Sequence, residues 1–179
     1  MITILNGSPN KNSMTLALTE NFLLDQSEDF QVFHCYDLDI VSCDDCKFCD
    51  HKLACNKVDD MHKIYKALEH TDTLILSSPI YFGALSNELM QVINRFQRYY
   101  AEKFVHKKTL DIHLKQLILV TSAGSKNQAM FDGAKRTHDI LVSLFNPEHH
   151  HFIKAANTDQ IAPINNDEAI KQIEQIKKR

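Results

Sequence analysis

Ile2-Thr3-Ile4-Leu5-Asn6-Gly7-Ser8-Pro9-Asn10-Lys11-Asn12-Ser13-Met14-Thr15 opens the chain and decides its class. Ile2–Asn6 is a short apolar run ending at a glycine, the pattern of a buried strand. From Ser13 to Asp25, the residues Met14, Leu18 and Phe22, with Leu16 and Leu23, recur near helical spacing, and Ser13 is placed to cap that helix. The loop between strand and helix carries hydroxyls at Ser8, Ser13 and Thr15 and an amide at Asn10. Together with the unpaired N–H groups of a helix start, this set suits a phosphate monoester. The plainer reading is a polar turn with an N-cap. The loop has neither the G-x-G-x-x-G of a dinucleotide fold nor a Walker Lys-Ser/Thr.

Working outward, the same alternation repeats. Strands are predicted at Gln31–Asp37, Thr73–Ser78 (stopping at Pro79), Gln116–Thr121 and, more weakly, His150–Ala155. Helices are predicted at Asp59–His70, with two acids in its first turn, and at Ser86–Tyr100, Asn127–Phe145 and Asp167–Lys178. Five strands alternating with five helices imply parallel β-α-β units. The expected fold is α/β: a doubly wound, five-stranded parallel sheet in a three-layer sandwich, spanning residues 1–179 as one domain. Phe104–Leu114 is long for a connection and is expected to be a partner-facing or lid segment.

The bulk properties exclude some classes. Of the 179 residues 44% are apolar, enough for one substantial core, and the formal net charge of −3 argues against a nucleic-acid binder. No apolar run approaches the ~18–20 residues that span a bilayer, so no membrane partner is expected. The N-terminus lacks a basic region and a long apolar run, so no secretory leader is expected and the cytoplasm is the expected location. In a reducing compartment, cysteines are metal-binding, catalytic or free rather than paired. Cys35 falls in the second strand pattern and reads as a small buried hydrophobe. His149-His150-His151 is internal, and consecutive strand residues point to alternate faces, which disfavours a metal site there.

In open α/β sheets, ligands bind beyond the carboxyl ends of the strands. Two further loops qualify. Ser78-Pro79-Ile80-Tyr81-Phe82-Gly83 offers a stiff strand exit, two flat aromatics and a turn glycine, against which a planar heterocycle could stack. The plainer reading is an aromatic plug over the core. Ser122-Ala123-Gly124-Ser125 is small enough to leave room beside a ring.

Four of the five cysteines, Cys43, Cys46, Cys49 and Cys55, fall within thirteen residues as C-x2-C-x2-C-x5-C. Three readings compete: a [4Fe–4S] cluster on four thiolates, a zinc site, or free thiols in a loop that shapes a subunit contact. Structural zinc usually draws on two knuckles a dozen or more residues apart, so one compact run suits it less. Asp44, Asp45 and Asp50 add negative charge that Lys47, His51 and Lys52 partly offset.

On these residues the chain resembles the NAD(P)H-dependent FMN reductase family of the flavodoxin-like fold, and especially its iron–sulfur flavoprotein branch, which implies a flavodoxin-like sheet of strand order 2-1-3-4-5. The resemblance rests on Gly7-Ser8-Pro9 with Ser13 and Thr15, on Ser78 to Gly83, on Cys43 through Asp59-Asp60-Met61, and on Ile93-Asn94-Arg95. It implies that Ser8, Asn10, Ser13, Met14 and Thr15 surround an FMN phosphate. It implies further that Pro79, Ile80, Tyr81, Phe82 and Gly83 face the isoalloxazine, with Ser122, Ala123, Gly124 and Ser125 on its other side. Two positions depart from the family: Asn10 stands for a usual Arg or Lys, and Met14 for a usual Asn.

The expected activity is therefore an FMN-dependent oxidoreductase. It takes a hydride from NADH or NADPH and passes electrons to a flavin, quinone or other small acceptor. The first alternative is an electron carrier whose cluster exchanges electrons with ferredoxin. The second is a non-enzymatic binding module of the same fold. A homodimer or higher homo-oligomer is expected by analogy with the family. His34, His51, His62 and His70 are scattered, and no His/Asp/Ser set suggests acid–base catalysis instead.

Overall fold

The structure, a computed structural model, describes residues 1–23 and 29–177. Strand β1 (Ile2–Asn6) lies between β2 (Phe30–His34) and β3 (Thr73–Tyr81), and β5 (Gln116–Ser122) and β6 (His149–Ala155) complete a parallel array. A two-residue strand, β4 (Ala84–Leu85), folds back antiparallel onto the end of β3. The sheet thus has six strands in the order β2-β1-β3-β5-β6, with β4 off the path. Without the short return arm this is the expected 2-1-3-4-5 arrangement, flavodoxin-like in class.

Two cores follow from the period-2 alternation of the strands. Ile2, Ile4, Ile75, Ile118, Val120 and Ile153 face one side, where Leu16 and Leu18 of α1 (Met14–Leu23) and Ala169 and Ile173 of α7 (Asp167–Lys177) cover them. Leu5, Leu74, Leu76, Leu117 and Leu119 face the other, under α3 (Met61–Leu68), α4 (Asn87–Arg95) and α6 (Asp132–Phe145). The remaining helices are short, α2 (Phe48–His51) and α5 (Gln97–Tyr100). The expected extensions of α1 to Asp25 and α7 to Lys178 lie outside the described residues.

Several expectations need correction. Strand β2 stops at His34, and Cys35 sits buried in a 3-10 turn, Cys35–Asp37, rather than in a strand. Strand β3 does not stop at Pro79 but runs to Tyr81. Gly7 N–H donates to the Ser77 carbonyl on the β1 side, and alternation turns the missing N–H of Pro79 to that same side, past the last β1 pair. The acids Asp59 and Asp60 precede α3 rather than filling its first turn, and Asp59 accepts the Met61 N–H. The predicted Ser86–Tyr100 helix is broken at Phe96 and continues as a π turn over Ala101–Val105. The segment after it is no free lid in its second half: Leu110, Ile112 and Leu114 are buried in the core, while Phe104 and Val105 stay exposed.

Candidate functional site

The register sets the site. Asn6 pairs with Ser77 and Pro79 pairs with Ser122, so the loops after β1, β3 and β5 leave the same edge of the sheet side by side. Loop one is tied to loop three by the buried Thr15 and Ser122 hydroxyls, 2.5 Å apart. Gly7 lies against α4, where an added Cβ would stand 2.5 Å from Ser86 Oγ and 2.7 Å from Leu89 Cβ. The glycine is therefore required by close approach, not by backbone angle.

Within loop one, each hydroxyl already has one partner. Ser8 Oγ accepts the Asn10 N–H, and Ser13 Oγ accepts the Leu16 N–H as the N-cap of α1. Acceptance leaves both O–H protons free to donate. At the start of α1 the N–H groups of Met14 and Thr15 have no intrahelical acceptor. Two hydroxyl protons and a helix N-terminus in one loop fit the donor chemistry that an FMN phosphate needs. Asn10 is exposed and its Oδ1 accepts the Asn12 N–H, while Met14 is 43% exposed. The neighbouring cation, Lys11, pairs with Asp37 at 2.5 Å, a contact the sequence did not suggest.

Loop two is a hairpin turn. Phe82 and Gly83 have φ of +51° and +79°, the two positive values of a type I′ turn, and Tyr81 pairs with Ala84. Phe82 is fully exposed and Tyr81 is 48% exposed, whereas Ile80 is buried in the core and offers the edge only its backbone. An added Cβ at Gly133 would stand 2.4 Å from the Gly83 carbonyl oxygen, so the start of α6 supports this turn. In loop three, Ser122 and Ala123 are buried and Ser125 Oγ accepts the Asn127 N–H. The loop after β6 braces it: Thr158 N–H donates to the Ala123 carbonyl, Asn157 N–H to that of Ser125, and the Asp159 carboxylate packs against Gly124. The weak sequence pattern beyond β6 gave no sign of this brace.

The cysteine loop forms a second centre. Cys43, Cys46, Cys49 and Cys55 all line one small cavity of about 20 Å³, shared with Arg95 and Arg98. Cys46 is exposed and the other three are half-buried. Cys46 S–H points to Asn56 Oδ1, and Cys49 S–H to the Gln97 carbonyl in the first residue of α5. Burial, then the Asp50 carboxylate, holds the Cys49 thiol above its ordinary value, and Cys43 and Cys55 push it the same way. Among the described residues no three His, Cys, Asp or Glu side chains converge on a point where one metal ion could sit, so Cys43, Cys46, Cys49 and Cys55 form no ready-made ligand set for either zinc or a cluster. Cys35 stands apart, its thiol pushed up to about 12 by burial.

Beneath this loop lies an ion pair whose role the sequence did not reveal. The side chains of Arg95 and Asp59 are only 1% and 4% exposed. Arg95 donates to both Asp59 carboxylate oxygens and, at 2.7 Å, to the Val41 carbonyl. Asp59 in turn accepts the N–H of Val41 and of Met61. Burial opposes the charge on Asp59, but these donors hold its carboxyl below its ordinary value.

A doubly wound sheet with hydroxyl-lined and aromatic loops gathered at one carboxyl edge defines a flavodoxin-like α/β protein. The chain belongs to the NADPH-dependent FMN reductase family, whose model matches residues 1–153. It is 28% identical over 94 residues to an iron-sulfur flavoprotein of Methanocaldococcus jannaschii, covering 51% of this chain and 49% of that protein. It is 30% identical over 94 residues to an iron-sulfur flavoprotein of Archaeoglobus fulgidus, covering 51% and 46%. The match therefore spans about half the length of these relatives. An FMN-dependent NADH-azoreductase from Bacillus anthracis, solved in complex with FMN, shares the fold with a TM-score of 0.66 at 13% identity, over 99% of this chain and 97% of that one.

Proposed function

We propose that this chain is an FMN-dependent NAD(P)H oxidoreductase that hands electrons to a flavin, quinone or other small acceptor. The observation that carries this reading is the joining of three loops at one sheet edge, with the Ser8 and Ser13 hydroxyls, each accepting one backbone N–H, in the loop that leads into α1. Ser8, Ser13, Thr15 and the first N–H groups of α1 would hold the phosphate. Tyr81, Phe82 and the backbone from Pro79 to Gly83 would bound the ring on one side, and Ser122 to Ser125 on the other. When bound, FMN supplies the hydride-accepting and electron-transferring chemistry, and the protein orients the ring and excludes water from it. The test is to titrate the protein with FMN and then follow NADH and NADPH oxidation with a quinone, free FMN and an azo dye as acceptors. FMN retention with turnover of a small acceptor supports the reading. Failure to bind FMN after reconstitution refutes it.

A second reading, the electron carrier, is favoured by the four cysteines sharing one cavity. Cys43, Cys46, Cys49 and Cys55 would hold a [4Fe–4S] cluster, which supplies single-electron exchange with a partner such as ferredoxin. The donor set has the right chemistry, but a cavity of about 20 Å³ has room for roughly one water, so the loop must spread to take a cluster. Iron and acid-labile sulfide assayed on protein purified without oxygen test it.

Self-association is the third part of the reading. A cavity of about 370 Å³ between α4–α5 and α6 has Tyr100, Phe104 and Ile140 on its rim, 48%, 46% and 56% exposed. We propose that a second copy covers this apolar surface.

A further inference from the structure

We propose that Arg95 is the positioning residue of the four-cysteine loop, tying the two ends of that loop to α4 so that its middle can open around a sulfur-bound occupant. The inference deepens the cluster reading and rests on it for the identity of the occupant. The clamp itself stands on geometry alone.

Val41 and Asp59 bracket the loop, and all four cysteines lie between them. One guanidinium reaches both ends, donating to the Val41 carbonyl and to the Asp59 carboxylate. The Val41 N–H donates to the same carboxylate, which closes the neck from the other direction. The Arg95–Asp59 pair at the neck is buried, although Val41 itself is 53% exposed, and the charged middle of the loop faces solvent. There Asp45 and Lys47 have positive φ, and the ion pairs are exposed on at least one side, Lys47 with Asp45 and Lys57 with Asp44. Among the described residues, only Cys49 holds the middle to the body of the protein by side-chain hydrogen bonds, its S–H toward the Gln97 carbonyl and its carbonyl bonded to His106 Nε2. A loop fixed at its neck can therefore spread without leaving the fold once these two bonds give way.

The neck also faces the sulfurs. Arg95 lines the cysteine cavity, and its Nε–H is buried without a protein acceptor. The Nε of Arg98, which lines the same cavity, is likewise buried and unpartnered. A buried N–H is costly to leave unpaired, and the acceptor that this cavity would supply is a thiolate or a cluster sulfur. Lysine could keep the charge at position 95 but not the planar fork that serves two acceptors at once.

The test compares wild type with R95K, R95M and D59N, all metal-free at first. Chymotrypsin cleavage after Phe48 under native conditions reads the loop, while FMN retention and thermal melting read the rest of the fold. Iron and sulfide per chain are then measured after anaerobic reconstitution. We expect R95M and D59N to be cut at least tenfold faster than wild type with FMN retention unchanged. They should take up less than a fifth of the wild-type iron, and R95K should recover part of both. Should R95M fail to fold, R95K and D59N decide by the same readouts. Wild-type cleavage and iron loading in all soluble variants would overturn the proposal. If wild type itself takes up no iron, the cluster reading fails. The cleavage ratio then decides the clamp alone: tenfold supports it and unity overturns it.

Discussion

Replacing Ser13 with aspartate separates two roles that this one side chain combines. Ser13 Oγ accepts the Leu16 N–H at 3.1 Å and so caps α1. Aspartate is an equally good N-cap, and its charge favours a helix start by about 0.3–1 kcal/mol. The apoprotein should therefore melt at or slightly above the wild-type temperature. A phosphate seated on the Ser13 hydroxyl proton would instead meet a carboxylate about 4 Å away, which costs roughly 4 kcal/mol per charge pair at an effective dielectric constant of 20. At about 1.4 kcal/mol per tenfold, FMN affinity should fall by about three decades. Ser13→Ala should behave differently. It loses the cap, about 1 kcal/mol or ~2–4 °C in melting temperature for a chain of this size. It also loses one hydrogen bond to a charged group, about 1.5–3 kcal/mol of FMN binding. Apo melting curves and flavin-fluorescence titrations measure both effects. An S13D protein that binds FMN within threefold of wild type would place the phosphate elsewhere and remove the basis for the site.

Three further outcomes are expected. Gly7→Ala forces a methyl group to within 2.5 Å of Ser86 Oγ and 2.7 Å of Leu89 Cβ. The overpacking should cost about 1–3 kcal/mol, read as a lower denaturation midpoint in urea. Ile140→Glu puts a charge on the rim of the apolar groove, so sedimentation should show a folded monomer where wild type self-associates. An unchanged oligomer, or a wild type that is already monomeric, removes that interface. The Asp59 carboxyl lies below its ordinary value. Its contribution is fully present above the unfolded carboxylate pKa of about 3.9 and fades as pH falls through the lower folded value. Wild type should thus be more stable than D59N by a constant margin from pH 7 to 5 and by a shrinking one under pH 4. A margin flat to pH 2 refutes the assignment.

The sheet was legible because its strands are local patterns. Ile2–Asn6 and Gln116–Thr121 are apolar runs that end at small turn residues; the first appears where the pattern puts it, and the second runs one residue further, to Ser122. The Ser13 cap was legible for the same reason, since a cap depends on three successive neighbours. Cys35 was misplaced because alternation continues through a turn as readily as through a strand, and only the chain's path tells them apart. Pro79 reads as a stop from sequence alone, because the sequence does not say on which side its missing N–H falls. The four cysteines could be seen to share a loop, but not that Arg95, more than thirty residues beyond Asp59, closes its neck. A buried ion pair between distant segments leaves no periodic trace.

Helix α4 connects the two centres. Its first turn stands against Gly7 beside loop two, and its last residue is Arg95 at the neck of the cysteine loop. Nine residues at 1.5 Å each give a rigid span of about 13 Å. A ring held at the sheet edge and an occupant of the cysteine cavity would therefore stand at a separation set by one helix, whatever the loop tip does. That arrangement bears on the choice between the two redox readings. A buried Arg–Asp pair is poor value for stability alone, because well-packed apolar residues often do as well or better. In a reductase that uses only the flavin the pair still joins Val41 and the start of α3 to α4. If the cysteine cavity takes a second redox group, the same pair would also keep the neck of the loop on the helix that sets the distance, and iron loading of the wild type decides between the two.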